Sequence, residues 1–266
     1  VGVETVSANS RDGRWRFFRR SRTWLVIVLV AAVGAALLLF PGPRLGMAFT
    51  LATGIGVERL QRRIDELEAA AIRRAPLKAS DRAFLVDFYS TLATGGKLSG
   101  VARQTGKMMD HYLSRTGAPY ELEPEIFSQN RKVQRQAQLL RERAAGSKCG
   151  SGQRFESATF YMPDASQWDS VFGLYYGTLR LTKSPEADGS CRLQFRAEVP
   201  WIWPSYESLT KKYGTPHAES FPLPNVRTLL LGREYALYVD NGLGHYLEEV
   251  GIARSFLAFG EWSEPE

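Results

Sequence analysis

The segment CRLQFRAEV, residues 191–199, decides the fold. Cys191, Leu193, Phe195, Ala197 and Val199 alternate with Arg192, Gln194, Arg196 and Glu198. That period of two belongs to a strand with one buried face. Just before it, PEADG (185–189) supplies a turn. Residues 171–183, rich in aromatic and β-branched side chains, supply a partner, so the spacing predicts a hairpin of two long strands. Residues 155–162 read as another extended piece, with Phe155, Ser157, Thr159 and Tyr161 on one face. Downstream, Pro204-Ser205 opens a short helix over 206–213 that Gly214 ends. Residues 226–240 are apolar and fit either helix or strand, and 253–262 read as a last strand.

Upstream of AAGSKCGSGQ, a linker at 144–153, the pattern turns helical. In 58–74, Leu60, Ile64, Leu67 and Ala71 make one apolar face. Glu58, Arg59, Arg62, Arg63, Asp65, Glu66, Glu68 and Arg73 fall on its solvated side. Ser80 caps a helix over 81–93 with Phe84, Leu85, Phe88 and Leu92 inward, and Gly95-Gly96 are expected to close it. A third helix covers 98–114. A fourth starts at Pro124 and runs to 143, with Ile126, Val133, Ala137 and Leu140 inward. The fold class expected is α+β: a helical part over 80–145, then a β-rich domain over 154–266 with a mostly antiparallel sheet and one or two late helices.

Further upstream lies WLVIVLVAAVGAALLLF, residues 24–40, without a charge. Crossing a hydrocarbon core takes roughly 17–25 apolar residues. Arg14, Arg16, Arg19, Arg20 and Arg22 precede it, and basic residues resist translocation. The expectation is a cytoplasmic basic tail (1–23), a single-pass transmembrane helix (24–40) in a bacterial inner membrane, an apolar and amphipathic connector (41–79), and a periplasmic C-terminal part. The run LGMAFTLATGIGV (45–57) is short for a second span. If it returned through the membrane, the remainder would be cytoplasmic. The net charge of +6 includes those five tail arginines, so it points to an anionic leaflet rather than to nucleic acid. Cys149 and Cys191, the two cysteines, have no metal-site spacing. They would pair in an oxidising compartment and stay free in the cytoplasm.

Three places offer chemistry. His217-Ala218-Glu219 puts an imidazole near a carboxylate, which can share a proton or a metal ion. Asp240-Asn241-Gly242, with His245 after it, is a turn signal first, and a metal loop would need more oxygen ligands than Glu248 and Glu249. Trp201-Ile202-Trp203, at the end of the long strand, packs in a core or stacks on a ligand. Arg196 and Glu198 form a site wall if the polar face of that strand lines a cleft, and a solvated pair otherwise. A Walker loop, a Rossmann glycine run, a GxSxG elbow, an SxxK and an HExxH are all missing from the sequence. Nucleotide-dependent and serine-hydrolase readings therefore lose ground.

The run FYSTLATGGKLSGVARQTGKMMDHYLSRTGAPYELEPEI resembles an uncharacterised bacterial family with the domain-of-unknown-function label 3289. So do WDSVFGLYYGTLRLTKS, CRLQFRAEVPWIWPSYESLTKKYG and REYALYVDNGLGHYLEEVGIARSFLAFGEW, giving cover of about 88–262. That family is similar in turn to the toxin domain of colicin M-like bacteriocins. The resemblance implies an interbacterial, toxin-like effector that cleaves a lipid-linked peptidoglycan precursor at its pyrophosphate in the periplasm, with magnesium. Its partners would be the lipid bilayer and an immunity protein. The family has an Asp with a Tyr or His after the long strand, where this chain has Ala197-Glu198-Val199-Pro200-Trp201. For a metal-dependent pyrophosphate hydrolase, Glu198, His217, Glu219 and Asp240 are the candidate catalytic or metal-binding groups. Arg196, Trp201 and Trp203 are the candidate substrate contacts. The alternative is a non-catalytic envelope module that binds a partner protein through helix 58–74 or the aromatic strand end.

Overall fold

The computed structural model describes residues 42–98, 103–162, 174–223 and 237–266. The predicted tail, transmembrane helix and much of 226–240 lie outside the described residues. Among those described, no helix is long and apolar enough to cross a membrane.

The helices are α1 (Pro43–Thr53), α2 (Val57–Ile72), α3 (Ala79–Leu98), α4 (Arg103–Leu113), α5 (Pro124–Ser128), α6 (Arg131–Ala144), α7 (Tyr206–Tyr213) and α8 (Asn241–Glu249). The strands are β1 (Tyr120–Glu121), β2 (Arg154–Glu156), β3 (Phe160–Tyr161), β4 (Tyr176–Pro185), β5 (Cys191–Trp201), β6 (Ser220–Leu223), β7 (Leu237–Asp240) and β8 (Phe256–Pro265). The chain is α+β. Its main sheet runs β1-β8-β5-β4-β2, with β3 also on β4, and is antiparallel except for the two-residue β1–β8 pairing. A separate antiparallel pair joins β6 to β7.

The hairpin read from 171–199 is present as β4 and β5, with Leu181 opposite Phe195 and Leu179 opposite Ala197. Gly189 takes φ +84° in the turn, where a side chain would be strained. The inner face carries Leu179, Leu181, Leu193, Phe195, Ala197 and Val199, all buried. Helix α6 packs on β2 and β4, and α5 packs on β8. Residues 47–266 make one compact unit. One continuous core runs from Leu60 and Ile64 of α2 to Ala258 of β8. The helical and β-rich parts distinguished in the sequence therefore share their apolar interior, and the amphipathic half of the connector belongs to it.

Several boundaries differ for physical reasons. Helix α3 continues through Gly95-Gly96 to Leu98. The end of this helix is instead where α4 packs closely, through a glycine of α4. A Cβ on Gly106 of α4 would lie 2.4 Å from the Lys97 amide nitrogen and 2.5 Å from the Ala93 carbonyl oxygen. The helix expected over 124–143 is two helices, because Asn130 re-caps the chain. Its buried side chain accepts from the Lys132 and Val133 amides at 3.0 and 3.1 Å and donates to the Met162 carbonyl. The strand expected over 155–162 is two short ones, β2 and β3. Asp240-Asn241-Gly242 starts helix α8 rather than a turn. The last strand begins at Phe256, three residues late.

Cys149 and Cys191 are joined by a disulfide that closes a loop of 42 residues in sequence, tying the end of the linker to the start of β5. Loop-closure entropy for that length corresponds to about 3–4 kcal/mol. Replacing both cysteines by serine is expected to lower the unfolding free energy by about that amount. Urea denaturation of the oxidised chain and the variant checks this, and equal midpoints contradict it.

Candidate functional site

Helix α2 lies along the free edge of β7 and satisfies that edge with side chains. Gln61 donates to the Tyr238 carbonyl at 2.9 Å and accepts from the Tyr238 amide at 2.8 Å. Seven residues on, Glu68 Oε1 accepts from the Asp240 amide at 2.8 Å. Two residues on one helix edge thus do for β7 what a neighbouring strand would do. The arrangement carries Glu68 inward, so it is 6 % exposed and not on the solvated side of the helix.

Asp240 ends β7 and stands at the N-cap of α8, yet its carboxylate caps no helix amide. It holds His217 instead, through Oδ2 and the ring Nδ1. The α8 amide at Asn241 is met by the Glu219 carbonyl at 2.8 Å. Asp240 is 5 % exposed, whereas the His217 side chain is 55 % exposed on the loop after α7. A buried carboxylate therefore orients an accessible imidazole. Because Nδ1 is engaged, Nε2 is the ring nitrogen left to exchange a proton or accept a ligand.

One ligand atom from each of Glu68, Asp240 and His217 falls within 4.8 Å of the other two. They line a cleft of about 410 Å³ with Gln61, Asp65, Ala69, Ile72 and Tyr238. Removal from water, more than any other cause, pushes the Glu68 carboxyl up to about 7. The charges of Asp240 and Asp65 push the same way, against the hydrogen bond from the Asp240 amide.

Two phenols with buried hydroxyls lie within electrostatic reach of the carboxyls. The Tyr89 and Tyr206 hydroxyls have no hydrogen-bond partner among the described residues. Burial raises both, and the charges of Glu68 and Asp240 act on both in the same direction. The Tyr206 ring reaches this position because residue 242 is glycine, where a Cβ would sit 2.5 Å from it.

A carboxyl raised on folding stabilises the native state fully below its unfolded value and loses that contribution as pH rises through its folded value. In chelator-treated protein, stability is therefore expected to fall by about 2 kcal/mol between about pH 5 and pH 8. Glu68→Gln keeps the acceptor for the Asp240 amide and should flatten that slope. Chemical denaturation at several pH values measures it, and parallel profiles contradict the assignment.

The other sequence candidates go elsewhere. Glu219 accepts from the Tyr213 hydroxyl at 2.8 Å and from the Asn241 side chain at 3.3 Å, outside the trio. Glu198 lies on the outer face of the main sheet between Arg196 and Arg180, at 2.6 and 3.2 Å. Arg196 also pairs with Glu261. These residues line a different cleft, of about 630 Å³, that shares no lining residue with the first. The Arg196 guanidinium is thus committed to carboxylates of its own sheet. Trp201 is buried, stacked on Phe256 with centroids 5.9 Å apart and perpendicular to Trp203 at 6.1 Å. Trp203 packs where a Cβ on Gly244 would meet its ring at 2.4 Å. His245 contacts the Trp203 carbonyl at 3.1 Å. Sequence reasoning named His217 and Asp240 and missed Glu68, which stands four residues after Ile64 and three before Ala71 on the apolar face of its helix and was set on the solvated side because of its charge. The chain matches no family model and no curated protein sequence.

Proposed function

We propose that the chain is a single-pass envelope protein whose folded domain stands in the periplasm and carries a hydrolytic centre at His217, Asp240 and Glu68. The observation that carries the catalytic part is the pairing of a buried Asp240 with an accessible His217 at the mouth of a cleft. Asp240 fixes the imidazole, and its charge favours the imidazolium that forms when Nε2 takes a proton from water. That water attacks phosphorus, the bond to the bridging oxygen breaks, and the leaving phosphate departs. Glu68 supplies a second carboxyl beside the first. Support for the compartment comes from the uncharged stretch 24–40 behind its arginines and from the Cys149–Cys191 disulfide, which persists in oxidising surroundings. The substrate class, a lipid-linked pyrophosphate of peptidoglycan synthesis acted on by a toxin-like effector, follows from the resemblance to colicin M-like domains.

As for a non-catalytic module, the apolar face of α2 and Trp201 are both buried within the domain. A partner would have to meet other surfaces. A reporter fused after residue 266 tests the compartment: activity only of a periplasm-dependent reporter supports the reading, and activity only of a cytoplasmic one contradicts it. Release of a phosphorylated headgroup from the lipid-linked substrate by the full chain in detergent tests the chemistry.

A further inference from the structure

The trio offers one imidazole nitrogen and two carboxylates, with ligand atoms within 4.8 Å of one another. We propose that Glu68, Asp240 and His217 bind one divalent cation of the zinc class. The donor set is the first argument. Magnesium takes oxygen ligands and keeps several of its waters, whereas an imidazole with carboxylates suits zinc and its transition-metal neighbours. The magnesium implied by the resemblance does not fit these residues. Three protein ligands with an accessible fourth position are the usual form of a working zinc centre. Here two ligands are buried, and the third, His217, stands at the open side of the cleft.

Tyr89 is the second argument. It is fully buried, its hydroxyl has no partner among the described residues, and it lies within electrostatic reach of both Glu68 and Asp240. Tyr206 repeats the pattern from α7. Carboxylates on a metal ion are held from behind by hydrogen-bond donors. The Tyr89 and Tyr206 hydroxyls are donors within electrostatic reach of the two carboxyls, and neither bonds an acceptor among the described residues, so both are available to carboxylates that an ion reorients. The β7 edge contact alone explains why Glu68 is buried. It does not explain why two unpaired hydroxyls are buried with it. A tetrahedral ion with bonds of about 2.1 Å sets its ligands roughly 3.4 Å apart, so with ligand atoms already within 4.8 Å of one another the trio needs only small side-chain adjustments, the His217 ring turning out of its direct contact with Asp240. The His217 side chain, on a loop and half exposed, has the freedom to do so.

This deepens the hydrolytic reading of the same residues and revises one role in it: with an ion bound, the His217 imidazole would serve as a ligand, and the ion instead of Nε2 would activate the attacking water. It rests on that reading for the ion's role and not for its binding. The test uses the full chain in detergent, stripped with chelator and titrated with zinc chloride alone by calorimetry. One zinc per chain is expected, with Kd below about 1 µM. His217→Ala is expected to weaken binding at least about 100-fold, Glu68→Gln at least about 10-fold, and Tyr89→Phe about 10-fold. His217 is exposed and Glu68→Gln keeps the β7 contact, so both variants should fold. A wild type that binds zinc no more tightly than the Glu68→Gln, His217→Ala double variant overturns the proposal, as does tighter binding of magnesium chloride than of zinc. Zinc bound without turnover supports the cation centre and overturns only the hydrolytic reading.

Discussion

Replacing His217 by alanine is expected to lower turnover of a lipid-linked pyrophosphate by about 10²–10⁴-fold, the usual contribution of a positioned acid–base group. The same substitution should lower the unfolding free energy by about 1–3 kcal/mol, because the imidazole lies half in solvent but its loss leaves the buried Asp240 carboxylate without that partner. The split between the two measurements is the informative part. A histidine that only decorates the surface leaves both unchanged. One that only holds the loop lowers stability but leaves turnover per folded molecule nearly unchanged. Asp240→Asn should reproduce the loss of turnover, since an amide cannot hold the imidazolium, but at a cost in stability, since Asp240 is buried.

Trp201→Ala is expected to cost about 3–5 kcal/mol, the range for truncating a large buried aromatic. Its ring stacks on Phe256 and meets Trp203 edge-on, and it is among the largest fully buried side chains. A role as a ligand-stacking platform predicts the reverse: intact stability with a raised KM. Urea denaturation beside steady-state kinetics separates the two. Ile202, exposed between the tryptophans, serves as a control whose replacement by serine should be nearly silent in stability.

These expectations divide along what a linear pattern records. The alternation at 191–199 was legible because a strand with one wet face writes its burial into every second residue, and the inner face found is the one expected. Leu60, Ile64, Leu67 and Ala71 were legible for the same reason at helical spacing. Glu68 was not. Its position, four residues after Ile64 and three before Ala71, is on the same face, but its charge argued for solvent, and the amide that it accepts from belongs to β7, about 170 residues away in sequence. Gly95-Gly96 and Asp240-Asn241-Gly242 misled because turn chemistry is a local preference. The Tyr206 ring packs where a side chain at 242 would stand, and α4 packs against the end of α3 through Gly106, one of its own residues. Glu198 and Arg196 were sound as a charged pair on a polar face, but cross-strand Arg180 and Glu261 complete a ladder that leaves neither free for a substrate.

The central claim is that Glu68 and His217 act as one unit through Asp240. A double-mutant cycle of Glu68→Gln and His217→Ala, read in turnover of the full chain, tests it most directly. The account predicts non-additivity: the double variant loses little more than His217→Ala alone. Losses that multiply independently, or a wild type without turnover, would contradict it.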